Sequence, residues 1–274
     1  MNKTKKIAGF LGIPYIIWGA VFIIIPLLMV VWYGLTDASG SFTLSNVAAI
    51  AEPAHRKALL LSVILSFAAT VVCLLMAYPL SLFLTETQKD SNSLLTMMLI
   101  VPMWMNFLLR TYAWQSLLEK TGVINTFLTS LGLQPLRMIN TPGAIVLGMV
   151  YNFLPFMILP IYNALQKIDR NVINAAHDLG AGSVQTFLRV IFPLSLPGVI
   201  SGITMVFIPA LTTFVVSSLL GGGKILLIGN VIEQEFMVAY DWNLGSGLSL
   251  VLLVFIIISV VISVITDREE EAAR

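Results

Sequence analysis

The sequence predicts an all-α integral membrane protein of six transmembrane helices, with a cytoplasmic coupling helix between spans four and five. Three observations carry that prediction. Of 274 residues, 58% are hydrophobic and 11% charged, with a mean hydropathy of +0.93, whereas a soluble domain is about 45–50% apolar and about 25% charged. A chain of this size cannot hide so much apolar surface within itself, so the remainder faces lipid. Six stretches, 10–33, 58–84, 94–113, 143–166, 196–220 and 245–266, reach the length of about 20 residues that crosses a bilayer. Between the fourth and fifth lies a polar, glycine-punctuated interruption, "NAAHDLGAG" at 174–182. The whole chain, 1–274, reads as a single transmembrane domain.

The start, "MNKTKKIAGFLG", resembles a signal peptide because Lys3, Lys5 and Lys6 precede an apolar run. That run continues to about Tyr33, far beyond a signal core of about 7–15 residues, and no small-residue cleavage site follows it. It is expected to remain as the first span. "TETQKDSNS" at 85–93 is short and hydrophilic, so it predicts a tight surface turn between spans two and three. The 119–143 stretch is longer and half apolar, with room for an interfacial helix near Val123–Leu131. Prolines at 14, 26, 79, 102, 155, 160 and 209 lie in or beside spans and predict kinks.

Six spans place both termini on one side. That side carries nine Lys/Arg, against six on the other (Arg56, Lys57, Arg110, Lys120, Arg137 and Lys224), which predicts cytoplasmic termini. The 167–195 segment is then cytoplasmic. Val172, Ile173, Ala176 and Leu179 recur near one helical face, Gly180 and Gly182 supply a bend, and a second helix, "VQTFLRVIF", runs to Pro193. Two short helices at an angle form a knob suited to receiving force from a soluble partner.

At these residues the chain resembles the membrane subunits of bacterial ABC importers. Their hallmark is Glu-Ala-Ala, three residues, Gly, nine residues, then Ile-x-Leu-Pro. Here Asn174-Ala175-Ala176, Gly180 and Val190-Ile191-Phe192-Pro193 stand at the same spacing. The family's leading glutamate is Asn174 here, which leaves Asp178 and Arg189 as polar contacts to an ATPase. "LIVPMWMNFLLRTYAWQSLLEKTGVIN" at 99–125, "DLGAGSVQTFLRVIFPLSLPGVISG" at 178–202 and "LLGGGKILLIGNVIEQEF" at 219–236 further resemble the first permease subunit of spermidine/putrescine importers. The resemblance covers nearly the whole chain and implies a bacterial inner-membrane location. It also implies a second homologous permease, two copies of a cytoplasmic ATPase and an extracytoplasmic polyamine-binding protein as partners. No cofactor is implied for this chain, since ATP and magnesium would be bound by the ATPase.

A polyamine is a flexible multivalent cation, so its passage needs carboxylates, carbonyls or aromatic faces. Trp104, Asn106 and Tyr112 of span three, Tyr151 and Asn152 of span four, and Thr213, Phe214, Ser217 and Ser218 of span five are the candidates. Glu233, Glu235 and Asp241 lie in an outer stretch without Lys or Arg and would attract a cation. No carboxylate stands mid-span, so the passage is expected to bind weakly and to leave selectivity to the binding protein. Trp114 and Trp242 fit interfacial anchors, and Arg110 calls for a structural partner.

Other chemistries find little support. A net charge of +1 offers no basic patch for nucleic acid. Cys73 is the only cysteine, and His55 and His177 fall on opposite sides of the predicted membrane, so no metal site forms. "GGGK" at 221–224 is followed by Ile225 rather than the Ser or Thr of a phosphate loop. No catalytic set shares one membrane layer, so no enzymatic activity is expected. The alternatives are an importer permease for another small solute (a metal chelate, oxyanion or phosphonate) and a stand-alone transporter or channel. The latter usually carries internal repeats, and the two halves show none.

Overall fold

The computed structural model describes residues 14–87 and 101–273. Its regular elements are helices, with one isolated bridge between Thr36 and Phe42. We label them α1 (Pro14–Gly34), α2 (Pro53–Thr87), α3 (Phe107–Leu118), α4 (Val123–Ser130), α5 (Pro142–Gln166) and α6 (Arg170–Asp178). There follow α7 (Ser183–Thr212), α8 (Val215–Leu220), α9 (Ile228–Gln234) and α10 (Trp242–Ala273). Among the described residues five helices, α1, α2, α5, α7 and α10, are long and apolar enough to cross a membrane.

Of the predicted third span, 94–100 lies outside the described residues. Its remainder is a 3₁₀ turn, Val101–Trp104, a break at Met105–Asn106, and α3 with 12 residues. Twelve residues rise only about 18 Å, short of the hydrocarbon thickness of about 30 Å. Of the turn expected at 85–93, residues 85–87 belong to α2, which continues through Thr87, and 88–93 lies outside the described residues.

Two further boundaries differ from the sequence reading. The fifth stretch was expected as one helix over 196–220, but the helix starts at Ser183 and breaks at Thr213, whose ψ of 131° is extended. The run Thr212-Thr213-Phe214-Val215-Val216 is β-branched and aromatic, weak in helix propensity. Past the break the Phe214 carbonyl opens α8, accepting from Ser218 N at 2.9 Å and from the Asn230 side chain at 3.0 Å. Nor does the helix predicted to end at Pro193 end there. Phe187–Ile191 forms a π turn, and α-helix resumes at Phe192 with Pro193 in its first turn. The same design occurs in α1, where the π turn Ala20–Ile24 precedes Pro26. Each proline stands two residues past its π turn. It has no N–H for the bond to residue i−4, and the wider bonds from Ile25 N to Ala20 O and from Phe192 N to Phe187 O absorb the misfit.

The chain divides into two compact units. In the first, Met1–Arg56 with Val231–Phe255, the end of α1 is held by two asparagines. Asn46 Nδ2 and Asn243 Nδ2 both donate to the Thr36 carbonyl, at 2.8 and 2.6 Å, satisfying an acceptor beyond the last turn. Gly247 abuts Asn46 and Gly34 abuts Ser246, so neither leaves room for a Cβ. In the second, Lys57–Asn230 with Ile256–Arg274, α5 is the axis, with Ile145, Met149, Met157, Ile158 and Ile161 fully buried. Small residues set its approach to α7, as van der Waals packing requires where lipid supplies no hydrophobic drive between helices. A Cβ on Gly198 would stand 2.5 Å from the Ala164 Cβ and 2.6 Å from the Pro160 carbonyl, and one on Gly202 2.8 Å from Met157 Sδ. Gly148 meets Val216 and Leu220 of α8 in the same way. In α2, the hydroxyls of Ser62, Ser66 and Thr70 bond the carbonyls four residues back, at 2.9, 2.6 and 2.7 Å.

Candidate functional site

The polar interruption folds as sequence spacing predicts and is closed by local hydrogen bonds. Asp169 caps α6, its carboxylate accepting from Asn171 N at 2.9 Å. At the other end Gly180 adopts φ +83°, donates to His177 O at 2.8 Å, and leaves Ala181 N to reach Ala176 O at 3.0 Å. That pair of bonds is the Schellman closure, and its left-handed position favours glycine. Gly182 then starts α7, with the Gln185 side chain accepting from its N–H at 3.4 Å. Of the predicted coupling residues, Asn174, Ala175, Asp178, Gly180, Arg189 and Pro193 are exposed and Ala176 is half-buried. Leu179 is 89% and Val184 71% exposed, an apolar pair on the bend itself.

Sequence reasoning missed what anchors this segment. Tyr78 of α2 packs edge-on against Phe187, with ring centroids 5.7 Å apart, and lies 5.9 Å from Phe192. Its hydroxyl pairs with Ser195 Oγ at 2.7 Å. No local pattern links residues 117 positions apart, although an aromatic at each end of the π turn was visible.

The pathway candidates divide into three groups. Trp104 and Tyr112 are exposed, and Asn106 caps α3 by accepting from Leu108 N at 2.8 Å. Tyr151 pairs edge-on with Trp114, ring centroids 5.4 Å apart, which gives that tryptophan a packing partner. Around the helix break, Thr213 is half-buried and Phe214 exposed, while Ser217 and Ser218 are bound to Asn230, which the sequence reading did not single out. The Asn230 side chain, 3% exposed, accepts from Ser217 Oγ at 2.5 Å and Leu227 N at 3.1 Å. It donates to Phe214 O at 3.0 Å and Ser218 Oγ at 2.7 Å. One amide thus uses its full bonding capacity to staple α8. The loop behind it is tied to α2, because Ile228 N donates to Ser62 Oγ at 2.8 Å.

Asn152 is 1% exposed and bridges helices. Its Nδ2 donates to Gly148 O at 2.9 Å and to Thr111 Oγ1 at 3.3 Å, and Oδ1 has no partner among the described residues. Arg110 is 7% exposed, and among the described residues its Nε has no partner and the structural partner expected for it is not found as an ion pair. Glu233 and Glu235 are half-buried, whereas Asp241 serves the fold: its carboxylate accepts from Leu244 N at 2.9 Å at the start of α10. The "GGGK" stretch is a turn, with Gly222 and Gly223 left-handed and the Asn140 side chain seated where a Gly222 Cβ would be.

The family model described as "Binding-protein-dependent transport system inner membrane component" matches residues 6–269. The chain is 38% identical over 262 residues to the spermidine/putrescine transport system permease protein PotB of Salmonella typhimurium, covering 93% of this chain and 91% of that one. It is 40% identical over 245 residues to PotB of Escherichia coli, covering 86% and 89%. Among solved structures, a bacterial ABC transporter importing the acidic polysaccharide alginate superposes with a TM-score of 0.77 at 14% identity, covering 98% of this chain and 96% of that one. The MetNI methionine ABC transporter does so at 0.56 and 18% identity, covering 79% and 94%. These two share the fold. The chain belongs to the family of binding-protein-dependent transport system inner membrane components and is a multi-pass, membrane-embedded permease subunit.

Proposed function

We propose that this permease subunit moves polyamines, spermidine and putrescine, from an external binding protein to the cytoplasm, driven by ATP hydrolysis in a partner. The observation that carries the substrate is 38–40% identity to PotB proteins along most of the chain. The translocation path lies between this chain and a second homologous permease, and two copies of a cytoplasmic ATPase bind ATP and magnesium. Both termini are cytoplasmic. The α6–α7 bend docks on the ATPase, with Leu179 and Val184 as apolar anchors and Asp178 and Arg189 as polar contacts. Glu233 and Glu235 attract the incoming cation, and Tyr151, Asn152, Thr213 and Phe214 line its route.

The first experiment is ATP-driven spermidine uptake into proteoliposomes holding the chain with its co-purifying partners and binding protein. Uptake blocked by putrescine, and unaffected by phosphate or amino acids, is expected. ATP hydrolysis without polyamine uptake overturns the substrate, and absence of any associated ATPase overturns the importer. Gly180→Pro tests the coupling role, because proline fixes φ near −65° and removes the N–H that closes α6. Uptake should fall about tenfold or more while ATPase activity and membrane insertion persist; unchanged uptake refutes the docking assignment.

A further inference from the structure

The break at Thr213–Phe214 leaves chemistry that the fold itself does not consume. Extended Thr213 ends the α7 ladder with its own N–H on Pro209 O at 3.0 Å, so the last carbonyls of α7 lose their helical donors. A helix C-terminus carries a partial negative charge, and the last turn of α7 contains no basic residue. Gly229 packs against one side of this end, where a Cβ would sit 2.7 Å from Thr212 O and 3.3 Å from Thr213 O.

A second observation points to the same level of the unit. Contacts of α5 with the stretch after the break run antiparallel: Ile145 faces Gly221, and Gly148 faces Val216 and Leu220. One turn further along α5, Asn152 is brought level with the break. The Thr111 hydroxyl donates to Phe107 O at 3.0 Å, so it can only accept from Asn152. Both amide hydrogens of Asn152 are thereby committed, and Oδ1 remains a buried acceptor with no donor among the described residues. An unpaired acceptor in such a place costs about 1–3 kcal/mol, and a donor from outside the chain removes that cost. Arg110 lies beside Thr111 in sequence but about 100° away around α3.

We infer that the α7–α8 break and Asn152 form a subsite for one primary ammonium group. Asn152 Oδ1, the terminal carbonyls of α7 and the Thr213 hydroxyl are the acceptors, and the half-exposed Phe214 ring presents its face. Asn230 is the positioning residue, since its four bonds hold Phe214 and α8 in place. The acceptors are all neutral, so the site holds an ammonium briefly and releases it, as a passage requires. This inference rests on the polyamine reading for its ligand, and the test separates the two.

Cys73 is buried and is the chain's one cysteine, so a Cys73→Ser background gives Thr213→Cys as a single reporter. In membranes holding the assembled transporter, its reaction rates with trimethylammonium-ethyl and sulfonato-ethyl methanethiosulfonate are compared, each divided by the rate for a free thiol. The cationic reagent should react about fivefold faster, and spermidine or propylamine should slow it. Asn152→Asp should raise the cation-to-anion ratio and Asn152→Leu should lower it toward one. Because the ratio is internal, it does not depend on how much variant assembles. Equal rates for the two reagents, or a ratio unmoved by both Asn152 variants, overturn the subsite even if spermidine uptake is intact. A cation preference protected by propylamine, in a transporter that moves no polyamine, keeps the subsite and refutes the polyamine reading.

Discussion

Asn230 and Ser218 show how far a single residue's surroundings set its role. Asn230→Ala would leave the buried Leu227 N and the exposed Ser218 hydroxyl without their partner, while Phe214 O keeps Ser218 N and the Ser217 hydroxyl. A buried N–H left unpaired costs about 1–3 kcal/mol, so a loss of about that size is expected. Ser218→Ala removes one bond at an exposed position and should cost under about 1 kcal/mol. Thermal midpoints of the detergent-solubilised transporter rank the two, and equal midpoints would rule out the staple. Composition suggested Ser217 and Ser218 as pathway hydroxyls. Their partner lies across a glycine turn, and no spacing rule announces it. Asp37 lies in the loop after α1, where hydrogen bonds from the Ser39 hydroxyl and then the Ser41 amide hold its carboxyl below the ordinary value. Its contribution to loop order is therefore complete above the unfolded value of about 3.9 and fades as pH falls through the lower folded one. Hydrogen exchange at Ser39 and Ser41 should accelerate below about pH 4 relative to its intrinsic rate, and Asp37→Asn should remove that dependence.

At the scale of the element, the α5–α7 pair depends on small residues at the contact. Gly198→Leu must push against the Pro160 carbonyl, a backbone atom that cannot rotate away. Overpacking of this kind costs about 1–3 kcal/mol. A lowered thermal midpoint with unchanged membrane insertion is the expected outcome, and an unchanged midpoint would show that the helices are free to separate. The α6 bend was legible from "DLGAG", because a glycine one residue past the last apolar position is a local signal with a local cause. The π turns were half legible. Pro26 and Pro193 announced a disturbance, but continuing or ending a helix at proline depends on what supports the next turn. At Pro193, Tyr78, Phe187 and Ser195 supply that support across 117 residues.

At the scale of the whole molecule, topology is the testable property. With cytoplasmic termini, cysteines placed at Gln185 and Glu233 in a Cys73→Ser background should be labelled from opposite faces of sealed vesicles. Labelling from one face would reverse the assignment of the coupling segment. The amount of apolar sequence and its division into stretches determined by themselves that the chain spans a membrane repeatedly. A run of about 20 apolar residues has few other stable states. The family hallmark from 174 to 193 was likewise readable, since spacing is a property of the chain itself and needs no tertiary contact to be seen. Only tertiary structure decided that the fifth stretch breaks at Thr213, that two serines serve Asn230, and that Asn152 keeps a buried acceptor free. Those outcomes follow from hydrogen-bond competition among residues far apart in sequence. Hydropathy counts how much of each segment avoids water, and it carries no record of which polar atom meets which.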